Sequence, residues 1–344
     1  MQTHSTRRQF MALAAATASI SVAHRAGAAG PGAKASHAIP RRPLGKTGAT
    51  VPILGLGGFH LGSIPDANEA TRIVHEAIDA GANFFDNAWE YHDGKSEEVL
   101  GRALAGGWRQ RAFLMTKVCT HGRGADVAMQ QLEDSLRRLG TDHLDLWQIH
   151  ECVYDSDPDL HFAAEGVVHA LARAKEQGKV RFVGFTGHKD PGIHLRMLAG
   201  GFRFDTVQMP LNCFDASFRS FERRVLPQAI QLGVAPIGMK SLTGQGDPVR
   251  KGVVTADEAL RYAMSIPGVA TTVTGVDSLD VLRQNVAIAR GFEPTPAAAM
   301  QALRDRVATA AGDGRFEWYK TTTHFDAKVG REQHGYPTTE ELPL

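Results

Sequence analysis

The sequence predicts an α/β protein of the (β/α)8 TIM-barrel class, a single domain with an N-terminal hairpin and a C-terminal extra helix and tail. Three observations lead there. Apolar runs of strand length alternate with segments of helical period, the rhythm of repeated βα units. Gly81, Gly140, Gly178, Gly233 and Gly268 each stop a helical segment just before the next strand, where a left-handed residue is favoured. Three consecutive strands end in ionisable groups, as they would if all strand ends opened onto one face.

Arg42-Pro43-Leu44-Gly45 and Thr50-Val51-Pro52 flank the turn text Lys46-Thr47-Gly48, which predicts a hairpin capping the barrel floor. The barrel strands are expected at Ile53 to Gly57, Asn83 to Asp86, Phe113 to Lys117, Leu144 to His150, Val180 to Thr186, Asp205 to Met209, Val234 to Met239 and Thr271 to Gly275. The helices are expected at Asn68 to Ala80, Ser96 to Ala105, Asp126 to Leu139, Glu165 to Gln177, Ile193 to Ala199, Phe218 to Leu232, Thr255 to Ser265 and Leu279 to Arg290, with Thr295 to Ala311 outside the barrel. The glycines of Leu54-Gly55-Leu56-Gly57 allow close approach but are no dinucleotide fingerprint, because no helix opens at the required spacing. A doubly wound open sheet is disfavoured for the same reason.

With 344 residues, length alone allows one large domain or two ordinary ones, and the unbroken βα rhythm selects one. A hydrophobic share of 43% and a charged share of 22% fit a soluble globular protein with a sizeable core. The formal net charge of +1 gives no reason to expect nucleic acid or an anionic membrane as a partner. The first residues differ in kind. Ser5-Thr6-Arg7-Arg8-Gln9-Phe10-Met11 precedes a mild apolar run to Ala23, and Ala26-Gly27-Ala28 offers a small-residue cleavage site. This resembles a twin-arginine export signal, with the twin-arginine translocation machinery as partner and the periplasm as destination, or the cytoplasm if the signal does not function. The apolar run is too short for a stable membrane anchor. The expected division is a signal peptide at 1–28, a linker at 29–41, the barrel at 42–312 and a tail at 313–344. Cys119, Cys152 and Cys213 form neither a C-x-x-C motif nor a zinc-ligand spacing, so they read as inert thiols and no metal is expected.

Asp86 ends one apolar run and Tyr91 follows in its loop, while the next two runs end on Lys117 and His150. On one barrel face these four would share a pocket. A cation beside a tyrosine favours the phenolate, so Lys117 is expected to lower the Tyr91 pKa. Asp86 would hold Lys117, and His150 would donate a hydrogen bond to a bound carbonyl oxygen.

The text F-F-D-N-A-W-E-Y-H-D-G-K-S-E-E-V-L-G-R-A-L, then F-L-M-T-K-V, then D-L-W-Q-I-H, resembles the aldo-keto reductase family, whose tetrad is Asp, Tyr, Lys and His in this order. The resemblance runs from about Arg42 to Arg290. It implies reduction of an aldehyde or ketone, or oxidation of the alcohol, by hydride transfer with a nicotinamide, with Tyr91 as general acid or base. NADP(H) is the cofactor it implies first, with NAD(H) a rival.

The same resemblance implies the cofactor contacts. Gly57 lies at the first strand end, and Thr186 with Gly187 replaces the family's Ser-Asn pair that binds the carboxamide, His188 taking the missing donor role. Gln208 and Asn212 match a further carboxamide-contacting strand and loop. Met239 replaces the aromatic that many members stack on the nicotinamide, and Lys240, Ser241 and Leu242 reach toward the pyrophosphate. Gly275, Asp277, Gln284 and Asn285 match the adenosine end. Where NADP(H)-preferring members place Lys-Ser and a later Arg, this chain has Gly275-Val276 and Val281, and a dianionic phosphate without a cation is poorly bound. Phe59 and Trp89 are expected to set substrate specificity.

Two other functions fit less well. A metal-dependent barrel hydrolase usually needs a His-x-His pair after the first strand, and Phe59-His60-Leu61 offers one histidine. A catalytically weak, cofactor-sensing module of the same fold is the alternative, and the intact tetrad argues against it.

Overall fold

Strands buried on both faces are continuous apolar runs, and Phe113–Val118 and Leu144–Ile149 are buried along their whole length. The structure, a computed structural model, describes residues 38–122 and 124–343. The expected signal peptide, and the linker up to residue 37, lie outside the described residues.

A short antiparallel hairpin of β1 (Arg41–Pro43) and β2 (Thr50–Pro52) precedes the barrel, and it takes in Arg41 from the expected linker. The barrel strands are β3 (Leu54–Gly57), β4 (Phe84–Asp86), β5 (Phe113–Val118), β6 (Leu144–Ile149), β7 (Val180–Thr186), β8 (Thr206–Pro210), β9 (Ala235–Met239) and β10 (Thr271–Gly275). They run parallel in sequence order, and β10 pairs with β3 to close the ring. All eight expected strands are present, shifted by a residue or so at their ends. Leu44 and Val51 of the hairpin region pack with Phe84, Phe113, Leu146 and Ile237 inside the barrel, so the hairpin plugs its floor.

Outside the ring, Ala67–Ala80 shows how the helices are made. Asp66 caps it by accepting from the Asn68 backbone N–H at 2.8 Å, and Ala70, Ile73, Val74, Ala77 and Ile78 form its buried stripe. Its last turn closes on Gly81 at φ 93°, a conformation in which a Cβ would clash with the backbone. The other four punctuating glycines also have positive φ.

The segment expected as one helix from Phe218 to Leu232 is instead two, Phe221–Arg224 and Leu226–Leu232. Pro227 has no N–H to donate to the Arg223 carbonyl and its ring crowds that oxygen, so the helix breaks there. The segment beyond Gly312 packs back onto the barrel. The Lys320 ammonium is fully buried between Asp215 Oδ1 at 2.7 Å and Glu317 Oε2 at 2.9 Å, and Lys189 pairs with Asp326. No helix among the described residues is long and apolar enough to cross a membrane.

Candidate active site

Asp86 closes β4 and Lys117 lies one strand over on β5, where the parallel register brings Asp86 opposite Met115. The Lys117 ammonium is buried to 1% exposure and pairs with Asp86 Oδ1. It also donates to the Asn87 carbonyl at 2.7 Å, while Gln208 Nε2 on β8 donates to Asp86 Oδ2 at 2.6 Å. Tyr91 and His150 complete the group. The Lys117 nitrogen stands 5.0 Å from the Tyr91 ring centre, and the His150 ring meets Tyr91 edge-on at 5.5 Å. The four residues picked from three strand ends are therefore neighbours.

Two carboxylates alter the expected electrostatics. His150 Nδ1 donates to the buried Glu90, and Glu151 follows directly on the chain. Burial first, then the negative charges of Asp86, Glu90 and Glu151, push the Tyr91 phenol well above its ordinary value. The expected lowering by Lys117 is overturned, because Asp86 neutralises that ammonium at contact distance. Burial also lowers the His150 pKa, against the raising influence of Glu90, whose own carboxyl is held below the usual range by His150. A neutral His150 that gives its Nδ1 proton to Glu90 presents a lone pair at Nε2. It donates to a carbonyl oxygen only as an imidazolium, and Glu90 is the group that makes that form affordable. Glu90 lies inside the stretch that identified the site, but its role depends on His150, 60 positions away.

Asp86, Tyr91 and His150 open onto a cavity of about 710 Å³. Gly57, Thr186, His188, Met239, Lys240, Ser241, Leu242, Gly275 and Asp277 line it, as does Phe59, whose ring meets Tyr91 edge-on at 5.4 Å. Lys117, Trp89, Gln208, Gln284 and Asn285 do not. Trp89 lies under the Arg138 guanidinium, 5.5 Å from its ring centre, Gln208 acts on Asp86 from behind, and Gln284 is exposed. Burial and the Lys240 charge hold His188 well below its ordinary pKa, so its ring is neutral, with Nε2 3.9 Å from Glu151 Oε1. Burial pushes Glu151 up to about 8 and Lys240 down to about 8, and the Lys240 ammonium lies 4.9 Å from the Phe325 ring centre. Phe325, Ala327, Lys328 and Val329 thus bring the C-terminal segment into the cavity wall. The three thiols are buried, and burial pushes Cys213 up to about 12, which suits inert packing.

The residues fit a nicotinamide dinucleotide. The cavity is long enough to join the Tyr91 end to Gly275 and Asp277, and its β9 loop turns through Gly244 and Gly246 at positive φ, leaving backbone exposed for close approach. Beyond it, the buried Asn285 amide nitrogen has no partner among the described residues, an orphaned donor of the kind an adenine nitrogen would satisfy.

Fold and site together define a TIM-barrel oxidoreductase. The chain belongs to the aldo/keto reductase family, whose model matches residues 53–246. It is 28% identical to an L-galactose dehydrogenase of Arabidopsis thaliana over 290 residues, 74% of this chain and 89% of the relative. It is 32% identical to a 6-dehydroglucose reductase of Novosphingobium aromaticivorans over 219 residues, 59% and 69% of the two chains. Among solved structures, the holo form of an aldo-keto reductase from Bacillus halodurans superposes with a TM-score of 0.67 at 25% identity, covering 81% of this chain and 99% of that one.

The Glu90–His150 pair generates a specific expectation. Replacing Glu90→Gln removes the charge that supports an imidazolium, so kcat/KM for carbonyl reduction should fall about 10²-fold, the scale for losing one oxyanion donor. Cofactor affinity, read by fluorescence titration, should stay within a factor of two or so, since Glu90 acts at the substrate end.

Proposed function

We propose that the protein reduces an aldehyde or ketone, or oxidises the corresponding alcohol, with Tyr91 as the group that gives or takes the proton. The observation that carries this reading is the placement of the Tyr91 phenol in the cavity wall between the buried Lys117–Asp86 pair and His150. A bound nicotinamide supplies the hydride in reduction and accepts it in oxidation. A phenol kept protonated by burial suits the reductive direction: its proton passes to the carbonyl oxygen as negative charge develops there. The Lys117 ammonium, 5.0 Å from the Tyr91 ring centre, is the cation that stands beside the phenolate left behind. Thr186 and His188 would position the carboxamide end, Met239 offers a polarisable apolar face, and Lys240, Ser241 and Leu242 flank the pyrophosphate path.

Two relatives are named for sugar-derived substrates, and His60, His92, Asp93 and Lys328 put polar groups around this cavity. A small polyhydroxylated carbonyl is therefore the substrate class we favour, with exposed Phe59 as its apolar cover. Tyr91→Phe and Lys117→Met should each reduce turnover by about 10²- to 10⁴-fold while cofactor still binds. Near-normal turnover in either variant, over a panel of sugar aldehydes and ketones, would sink the mechanism.

The cofactor is NADP(H), bound with little preference over NAD(H), because Gly275, Asp277 and Val281 line the adenosine end and none is cationic. Val281→Arg should raise affinity for NADP(H) relative to NAD(H) by roughly tenfold or more, the worth of one charge-assisted hydrogen bond. An unchanged ratio in paired titrations would mean that Val281 does not face the 2′-phosphate.

The leader text supports export of the folded protein by the twin-arginine machinery to the periplasm, loaded with nucleotide before transport. Outside the cytoplasm a freely exchanging cofactor is not readily reduced again, so we read the enzyme as retaining its nicotinamide and recycling it between two substrates. The loop from Ser241 to Val254 and the C-terminal segment flank the cavity and would slow release. Cell fractionation should find the mature protein outside the cytoplasm, with nucleotide released only on denaturation. Retention of residues 1–28 in a wholly cytoplasmic product removes the premise, and loss of nucleotide on gel filtration removes the retention.

A further inference from the structure

Away from the tetrad, three side chains from distant parts of the chain converge under the C-terminal segment. His121 Nδ1 lies 3.0 Å from Asp157 Oδ1. His334 Nε2 lies 3.0 Å from the same oxygen and 3.2 Å from His121 Nδ1. His121 and Asp157 are fully buried and His334 is nearly so. We propose that these residues form a site for a divalent transition-metal ion of the zinc type, which fastens the C-terminal segment over the barrel mouth.

The spacing is the first argument. Bonds of about 2.0–2.1 Å in tetrahedral geometry separate ligand atoms by about 3.3 Å. The three atoms stand 3.0, 3.0 and 3.2 Å apart, so an ion bonded to all three would sit roughly 1 Å outside their plane. The donor set, two imidazoles and one carboxylate, suits zinc, cobalt or iron rather than magnesium or calcium.

The surroundings give a second, independent argument. Asp157 Oδ2 accepts from the Val153 and Tyr154 backbone N–H groups, both at 2.8 Å, which turns Oδ1 toward the histidines and holds it there. His121 Nε2, the ring nitrogen turned away from Asp157, is buried and has no partner among the described residues. Metal ligation through Nδ1 leaves the ring proton on Nε2. There the buried Glu151 Oε2 also lacks a partner, and both atoms crowd the same side of Gly330, 2.8 and 3.2 Å from where a Cβ would stand. His161 adjoins the group, its ring centre 6.3 Å from that of His121 and both its nitrogens buried without partners among the described residues.

The consequence is mechanical. His121 lies in the loop after β5 and Asp157 opens the short helix Asp157–His161 in the connection after β6, whereas His334 belongs to the segment whose Ala327, Lys328 and Val329 line the cavity. Ala327 N–H already donates to Glu151 Oε1 at 2.9 Å, so one ion would lock this cavity wall at both ends. The proposal does not rest on the catalytic reading.

The full-length chain, purified without a metal-affinity tag and stripped with chelator, should bind one equivalent of Co²⁺ in equilibrium dialysis, with the intense visible bands of a four-coordinate site, and Zn²⁺ should displace it. Binding should weaken at least tenfold in His334→Ala and Asp157→Asn, recover in His334→Cys, and remain unchanged in His143→Ala, which alters an exposed histidine elsewhere. Circular dichroism and nicotinamide titration check that each variant is folded. Zn²⁺ should slow tryptic cleavage at Lys328 about tenfold in the wild type alone. No bound equivalent, or equal binding by the wild type and a folded His334→Ala, overturns the site, and unchanged cleavage overturns the fastening.

Discussion

The site depends on one buried ion pair. Lys117 holds an ammonium at 1% exposure at the foot of the cavity, where an unpaired charge is costly enough that removing its partner destabilises a protein by about 3–5 kcal/mol. Asp86 answers the charge, the Asn87 carbonyl takes a second proton of the ammonium, and Gln208 occupies the other oxygen of Asp86. Those groups come from β4, β5 and β8, so the barrel must keep its register for the pair to close. In turn the pair fixes what Tyr91 can be: a buried phenol that meets a neutralised lysine and the Asp86 and Glu90 carboxylates remains protonated at rest.

Glu90, Glu151 and His188 extend the same logic around the rim. Glu90 is spent on His150, and Glu151 at a pKa of about 8 faces a neutral His188. An anionic cofactor would enter a cavity lined by the half-buried Lys240, set among the Tyr319 and Phe325 rings at 5.2 and 4.9 Å. The C-terminal segment is therefore part of the electrostatics of the site as well as its cover, because without those rings the ammonium would lie in water.

The barrel was legible because its signals are local: each strand is a short apolar run, and each helix ends at a glycine whose positive φ matters within its own turn. The tetrad was legible because parallel strands bring their ends together whatever the loops do. What could not be read are relations between loops. Glu90 is visible as a residue, but only the fold shows it on His150. The break before Pro227 was available from the sequence and was overridden by the apolar period around it. His121, Asp157 and His334 carry no spacing signal, since 36 and 177 positions separate Asp157 from His121 and His334. Trp89, Gln284 and Asn285 show the converse. A matching position in the text does not by itself place a side chain in the cavity wall.

Backbone strain follows the same division of labour. Among the described residues, the non-glycine ones with positive φ are His92, Asp93, His121, Glu151, Arg219, Lys240 and Thr243, and every one lies in a connection that follows the C-terminal end of a barrel strand. Each such conformation costs about 1 kcal/mol or more. On the floor, the helix-to-strand turns at Gly81, Gly140, Gly178, Gly233 and Gly268 use glycine and avoid that cost. At the mouth, three of the strained residues use their side chains: Glu151 faces His188, Lys240 the aromatic cover and His121 Asp157. Among the described residues, a floor that turns on glycine and a mouth whose loops carry the strained side chains are two halves of one arrangement, since the packed ring beneath holds those loops in place.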